Sequence, residues 1–338
     1  MSKIAVIGLG PIGLAVARAV QDDRSFSLCG LIDTDPAKLG KRLVDLDSSA
    51  ARSDLLVVER LNLLQQKPDV VVVCTTSYFD RLAPMLETLI QNGIHAVSSC
   101  EEMAWPRHRH PDLSDRIDTL AKAAGVTLVG TGVNPGFVMD LLPVSLSSML
   151  ARVDRVKVTR VVDALTRRMP LQKKIGSTMT PAAFGDLALQ NRIGHMGLPE
   201  SVMMLATGLG RNPKSSDIHI TLEPVIATKP IQSLVGLVQP GQVCGMHNRG
   251  TYRDSQLELE LDLTMALAAT DPRDEIELHG ERTIRTVIPG STPGDTATVA
   301  ALLNVARKLP AAPRGLRTML DLPPCGGAAS SPDASHQR

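Results

Sequence analysis

The sequence predicts an α/β chain: an N-terminal Rossmann-type doubly wound parallel sheet, then a second α+β domain on a mostly antiparallel sheet. Three observations predict it. Short apolar runs alternate with helical stretches through the first 130 residues. A glycine-rich turn, Gly8-Leu-Gly-Pro-Ile-Gly13, directly follows the first run. Beyond residue 130, polar and apolar residues alternate at residues 155–162 and 256–265, as in strands with one covered face.

Each element has a local reason. Residues 3–7 are an apolar run, and residues 14–21 read as the helix after the glycine turn. The strand at 27–32 closes on Asp33. Residues 69–74 are a continuous β-branched run, expected of a strand buried on both faces. Helices at 81–92 and 112–124 end at Gly93 and Gly125, where glycine suits the left-handed residue past a helix end. Strands follow at 95–99 and 126–129. In the second domain a helix is expected at 180–190, and a last helix at 295–308 follows Gly290-Ser-Thr-Pro-Gly294. The expected organisation is a dinucleotide-binding domain (1–130), a substrate domain (131–290), a C-terminal helix returning to the first domain (291–324) and a Gly/Ala/Ser/Pro-rich disordered tail (325–338).

Composition narrows the class. With 36 Lys plus Arg against 35 Asp plus Glu, no basic surface argues for nucleic acid or an anionic membrane. Aromatics at 2% supply no stacking platform for single strands. Five scattered cysteines without a CxxC read as reduced thiols, and no leader or membrane-spanning run is evident, so a cytoplasmic protein is expected.

Gly8, Gly10 and Gly13 match GxGxxG between a strand and a helix. The first allows a tight turn, the second a close approach to a pyrophosphate, and the third close helix–strand packing. Pro11 and Ile12 complete the turn at the helix N-terminus, where phosphate binds. Asp33, twenty residues past Gly13, stands where a carboxylate binds ribose hydroxyls. It favours NAD over NADP, although Lys38, Lys41 and Arg42 just downstream are candidates for a 2′-phosphate. Cys74, Thr75 and Thr76 end a strand at the same sheet edge and are candidates for the nicotinamide ribose, or for helix capping.

Glu101 and Glu102 stand side by side at the C-terminal end of another strand. A carboxylate there is costly to desolvate unless it is paired or reactive. In an extended segment the two would point to opposite sides, so one is expected at the reacting centre. Trp105 is a candidate apolar wall beside the acid, or plain core. The loop Gly130-Thr-Gly-Val-Asn-Pro-Gly-Phe137 offers Asn134, Pro135, Gly136 and Phe137 as pocket residues, with Asn134 also able to reach cofactor. His195 is a pocket candidate or a structural histidine. The histidine spacing gives no helical metal-ligand pair, so no catalytic metal is expected.

These residues resemble the 2,4-diaminopentanoate dehydrogenases, a group of the dihydrodipicolinate-reductase-like family that includes native amine dehydrogenases. The resemblance runs from about residue 3 to 323. It rests on the Glu101-Glu102 segment with Trp105-Pro106, the loop from Gly130 to Asp140, Lys174-Ile-Gly-Ser-Thr-Met-Thr-Pro181, Arg192-Ile-Gly-His-Met-Gly-Leu-Pro-Glu-Ser201, and Pro289-Gly-Ser-Thr-Pro-Gly-Asp-Thr-Ala-Thr-Val299. It implies NAD(P)-dependent oxidative deamination of a small amine or diamino acid, and in reverse the reductive amination of a ketone or aldehyde with ammonia. It also implies a homodimer built through the second domain and a catalytic glutamate, carried to Glu101 first and Glu102 second. The stretch Arg107-His-Arg-His110 is unusually basic and departs from the pattern. Arg107, Arg109, Lys173 and Lys174 are candidate anchors for a substrate carboxylate.

The chemistry agrees with a carboxylate. An iminium intermediate is cationic, and a fixed carboxylate stabilises it and shuttles protons. Alcohol oxidation instead develops oxyanion character and calls for Lys, His or Tyr. Two alternatives stand beside this reading: another C=N reductase of the dihydrodipicolinate type, and a non-catalytic NAD(P)-binding protein.

Overall fold

β-Branched and other apolar residues fill the first sheet. In a computed structural model, which describes residues 1–190 and 192–327, Val70 to Val73 are wholly buried, as expected for a strand covered on both faces. The described chain forms two compact units. One comprises Met1–Met103, His110–Gly132 and the chain from Gly294 onward; the other comprises Ala104–Arg109 and Val133–Pro293.

In chain order the first unit contains β1 (Ser2–Ile7), α1 (Pro11–Asp22), β2 (Phe26–Ile32), α2 (Leu43–Leu46), β3 (Val57–Val58), β4 (Val70–Val73), α3 (Phe79–Gln91), β5 (His95–Ser98), α4 (Pro111–Ala123) and β6 (Thr127–Gly130). The second contains α5 (Leu141–Ser147), β7 (Val153–Asp163), α6 (Met169–Lys174), α7 (Pro181–Leu189), α8 (Leu198–Gly208), β8 (Ile218–Ile226), β9 (Ile231–Gln232), β10 (Leu237–Val238), β11 (Val243–Arg253), β12 (Glu258–Ala266), β13 (Arg273–Gly280) and β14 (Thr283–Pro289). The chain then returns to the first unit with α9 (Gly294–Ala306), which packs on α1, and β15 (Gly315–Arg317).

The first sheet has seven parallel strands in the order β15-β6-β5-β4-β1-β2-β3. The strand order reverses between β1 and β4, the place where doubly wound sheets bind ligand. Both α1 and α3 start two or three residues earlier than expected from sequence. Pro11 sits at the first helical position of α1, where its fixed φ suits a helix start. Gly93 (φ 63°) and Gly125 (φ 68°) do follow helix ends in the left-handed region.

The second unit's main sheet has the order β14-β13-β7-β12-β11-β8, antiparallel except for β7 beside β12. The two strands expected from alternation are β7 and β12; their four partners were not foreseen. Pro224 interrupts β8, while Gly245 and Gly250 interrupt β11, so the period-two pattern is broken there. Alternation along β7 buries Val156, Val158 and Val162, and it also turns Arg160 inward. That cation meets Asp274, its register partner on β13, at 2.8 Å.

No described helix is long and apolar enough to cross a membrane. Of the tail expected to be disordered, residues 328–338 lie outside the described residues.

Candidate active site

The glycine turn follows β1 at the point where the strand order reverses. Gly8 has φ +87°, and a Cβ there would come within 2.7 Å of the Cys74 carbonyl oxygen at the end of β4. A Cβ on Gly13 would lie 1.8 Å from the Gly8 carbonyl oxygen. Both glycines are therefore needed for the turn to close. Gly10 differs: a Cβ there meets nothing within 4 Å, and no side chain caps α1 at this residue. Open space beside an uncapped helix N-terminus fits a pyrophosphate.

Asp33 holds the turn from the next strand. Its Oδ2 accepts hydrogen bonds from the Leu9 amide at 2.7 Å and Lys38 Nζ at 2.9 Å, and its Oδ1 accepts from the Asp35 amide. Burial raises its pKa, but these donors outweigh burial and hold the carboxyl below its ordinary value. Lys38 also lies 3.7 Å from Asp35, and Arg42 is paired with Asp45 through two donors. Thr76 Oγ1 accepts from the Tyr78 amide, and Thr75 is exposed. Burial pushes the Cys74 thiol up to about 12, so it stays protonated.

The two glutamates do not lie in extended chain, as expected from sequence. They open a 3-10 turn, Glu101–Ala104, closed by the Met103 amide donating to the Cys100 carbonyl. Ser98 starts this bend by accepting the Cys100 amide on its hydroxyl. The turn still separates the pair. Glu102 is buried, and its Oε2 accepts the Phe79 amide at 2.8 Å, capping α3, with His110 Nε2 at 3.3 Å. Glu101 is half-buried and has no hydrogen-bond or ion-pair partner among the described residues. Asp80, Glu102 and His110 bring one potential ligand atom each within 4.8 Å, a grouping that histidine spacing did not reveal.

A separate constellation is built within the second unit. The Asn134–Pro135 peptide is cis, and Gly136 donates its amide to Asp140 Oδ2. Asp140 also accepts from Leu141, and burial raises its carboxyl pKa despite these bonds. The Ser201 hydroxyl lies 2.9 Å from Asn134 Oδ1 and 2.7 Å from Asp140 Oδ2. His195 Nε2 lies 3.1 Å from the Asn134 carbonyl oxygen and 3.4 Å from the Asn134 side-chain nitrogen Nδ2. Phe137 is exposed, Pro135 and Gly136 are buried, and Trp105 is half-buried. His195 lines a cavity of about 620 Å³ together with Arg109 and Asn248. Arg109 Nε donates to Glu200 Oε1 at 2.8 Å, and Glu200 is completely buried. Asp140, Ser201, Glu200 and Asn248 were missed from sequence, because nothing in local spacing marks them.

Burial, then the charge of Lys174, pushes His195 down to about 3; burial, then Arg109, pushes His108 down to about 4. Unfolded histidine titrates near 6.5. Below that pH the unfolded chain binds protons that the folded chain refuses, so stability is present above about 6.5 and lost as pH falls. Each site contributes a slope of at most about 1.4 kcal/mol per pH unit. Denaturation between pH 7 and 5 is expected to show a shallower slope for His195→Asn than for wild type. An unchanged slope would refute a neutral, buried-type His195.

A family model described as the 2,4-diaminopentanoate dehydrogenase C-terminal domain matches residues 137–336, more than half of the chain. The chain belongs to that family. A second model, an oxidoreductase family with an NAD-binding Rossmann fold, matches residues 2–101, so the first unit is an NAD(P)-binding Rossmann fold of an oxidoreductase. A 2,4-diaminopentanoate dehydrogenase of Acetoanaerobium sticklandii is 29% identical over 331 residues, covering 95% of this chain and 93% of its own. An amine dehydrogenase of Streptomyces virginiae is 25% identical over 222 residues, covering 62% of this chain and 60% of its own. The solved structure of the amine dehydrogenase from Mycobacterium smegmatis superposes with a TM-score of 0.84 at 25% identity, covering 97% of each chain.

Proposed function

We propose that the protein is an NAD-dependent amine dehydrogenase that uses Glu101 as its acid/base. The single observation that carries this is the division of labour between adjacent carboxylates: Glu102 caps α3, whereas Glu101, just past the C-terminal end of β5, has no hydrogen-bond or ion-pair partner among the described residues. Membership of a family whose relatives are named for amine and diamino acid oxidation supports the C–N reaction.

NAD, when bound, accepts the hydride from the carbon bearing nitrogen. The protein's own residues do the rest. Glu101 takes a proton from the substrate ammonium to free the lone pair. That proton passes to solvent, so the carboxylate lies next to the iminium cation as charge develops; it then takes a proton from the water that attacks that carbon and returns it to the nitrogen, which leaves as ammonia as the carbonyl forms. In reverse, ammonia and a carbonyl compound yield the amine. Gly8, Gly10 and Gly13 would hold the pyrophosphate of the cofactor at the N-terminus of α1, and Asp33 would bind its adenosine ribose. A homodimer built through the second unit is part of the same proposal.

Ion pairing within the site supports NAD over NADP. Lys38 is balanced by Asp33 and Asp35, and Arg42 by Asp45, so two of the three cations near the ribose already have anionic partners. Wild type is expected to use NADH more efficiently than NADPH. Asp33→Ala should raise the KM for NADH roughly 10- to 100-fold, the worth of a hydrogen bond to a charged group. Equal use of both cofactors by wild type would refute the preference.

The reading is tested by NADH oxidation with ketones and aldehydes, with and without ammonium. Oxidation that needs ammonium supports it. The dihydrodipicolinate-type alternative predicts oxidation only with a cyclic imine dicarboxylate, and a non-catalytic protein predicts cofactor binding alone.

A further inference from the structure

We propose that Asp140 and Ser201 are positioning residues: they hold the carboxamide of Asn134 so that its Nδ2 hydrogens bind the substrate's carbonyl oxygen when ammonia adds. This rests on the amine dehydrogenase reading and names a step within it, the formation of the C–N bond.

That step needs a hydrogen-bond donor. The ammonia lone pair forms the C–N bond, and the C=O π pair moves onto oxygen. A proton then passes from nitrogen to that oxygen, giving a neutral carbinolamine. A carboxylate stabilises the nitrogen cation but repels the oxygen anion, so Glu101 does not serve both charges. A fixed, neutral N–H serves the oxygen.

Asn134, Asp140, His195 and Ser201 all belong to the second unit. Asp140 and Ser201 are wholly buried. The Gly136 and Leu141 amides donate to the two Asp140 oxygens and fix that carboxyl in place. The Ser201 hydroxyl stands between Asp140 Oδ2 at 2.7 Å and Asn134 Oδ1 at 2.9 Å. Serine has one hydroxyl proton and both neighbours are oxygens, so both contacts are hydrogen bonds only when Asp140 holds a proton. Burial, the largest influence on this carboxyl, raises its pKa and favours that form. Asp140 then donates to Ser201, and Ser201 donates to Asn134 Oδ1. With its oxygen held, the carboxamide presents nitrogen on its other side.

That side leads to the cavity wall. Asn134 Nδ2 lies 3.4 Å from His195 Nε2, and His195 lines the cavity of about 620 Å³, a small-ligand size. An amide nitrogen carries two hydrogens, so at least one stays available to a ligand. His195, which burial pushes down to about 3, brings no charge. Asn248 lines the same cavity and is only 4% exposed, and its Oδ1 has no hydrogen-bond partner among the described residues. A buried acceptor of this kind is costly unless a ligand donates to it. A carbonyl oxygen on Asn134 and an ammonia N–H on Asn248 satisfy both amides.

The experiment binds pentan-2-one, ¹³C-labelled at its carbonyl, to the protein with NAD⁺ and no ammonium, and reads the isotope-edited infrared carbonyl band. Wild type is expected to hold the ketone with the band below its frequency in water. Asn134→Leu and Ser201→Ala should move the band back up. Asp140→Asn keeps a neutral donor toward Ser201 and should keep the shift, whereas Asp140→Leu should lose it. With ammonium and NADH, Asn134→Leu is expected to lower kcat about 10²- to 10³-fold, the worth of one donor to a developing oxyanion. Ser201→Ala should lower it roughly 10-fold. A wild-type band at the frequency of the ketone in water, a shift that survives Asn134→Leu, or an Asp140→Asn variant as impaired as Asp140→Leu would overturn the proposal. So would a loss confined to the urea midpoint with kcat unchanged, which marks a purely structural role. A band shift that depends on Asn134 without any turnover would sustain the subsite and sink the dehydrogenase reading. Turnover with a band indifferent to Asn134 and Ser201 would do the reverse.

Discussion

Glu101→Gln is expected to lower kcat for ammonium-dependent NADH oxidation by about 10²- to 10⁴-fold, with NADH affinity unchanged. Glutamine keeps the size and polarity of the side chain, but it can neither take a proton nor carry the charge that stabilises an iminium. Cofactor binding should survive, because Gly8, Gly10, Gly13 and Asp33 lie on other loops. Glu102→Gln provides the contrast. Its amide oxygen can still accept the Phe79 amide that Glu102 now holds at 2.8 Å, so α3 stays capped and most activity should remain. If the two variants exchanged behaviour, the catalytic role would pass to Glu102. Stopped-flow turnover beside fluorescence titration of NADH reads both quantities.

Asp274→Ala is expected to destabilise the second unit by about 3–5 kcal/mol, seen as a lower urea midpoint for its unfolding. Arg160 and Asp274 are both almost fully buried. Burial lowers the Arg160 pKa, and the neighbouring Asp274 opposes that effect. Removing Asp274 strands a cation in the core. It also frees the segment after β14, since Asp274 Oδ2 accepts the Thr292 amide while Arg160 donates to the Thr292 carbonyl. The double variant Arg160→Met, Asp274→Leu should recover most of the loss, because an apolar pair leaves no orphaned charge. A single variant as stable as wild type would show that the pair is not structurally needed.

These cases show what local sequence can carry. The parallel sheet was legible because its signals are short-range: the Val70–Val73 run, the Gly8–Gly13 turn, and Asp33 twenty residues later. The alternation along β7 was legible too, including its inward face, but not the meaning of Arg160 on that face. Its partner lies 114 residues away. Arg109 and Glu200 are 91 apart, and the Glu102 carboxylate reaches back 23 residues to Phe79. A side chain whose partner comes from another element carries no mark in its own neighbourhood. The turn at Glu101 was misjudged for a related reason. The Ser98 hydroxyl and the Met103 amide bend the chain immediately after β5, where strand-like reading had continued.

The central claim is that this chain makes and breaks a C–N bond. The most direct measurement incubates the protein with NADH, an amino keto acid or simple ketone, and ¹⁵N-ammonium, and follows the product by mass spectrometry. One ¹⁵N-labelled amine formed per NADH consumed, with the yield abolished in Glu101→Gln, is the predicted result. NADH consumed with an alcohol as product, or no consumption despite tight cofactor binding, would contradict it.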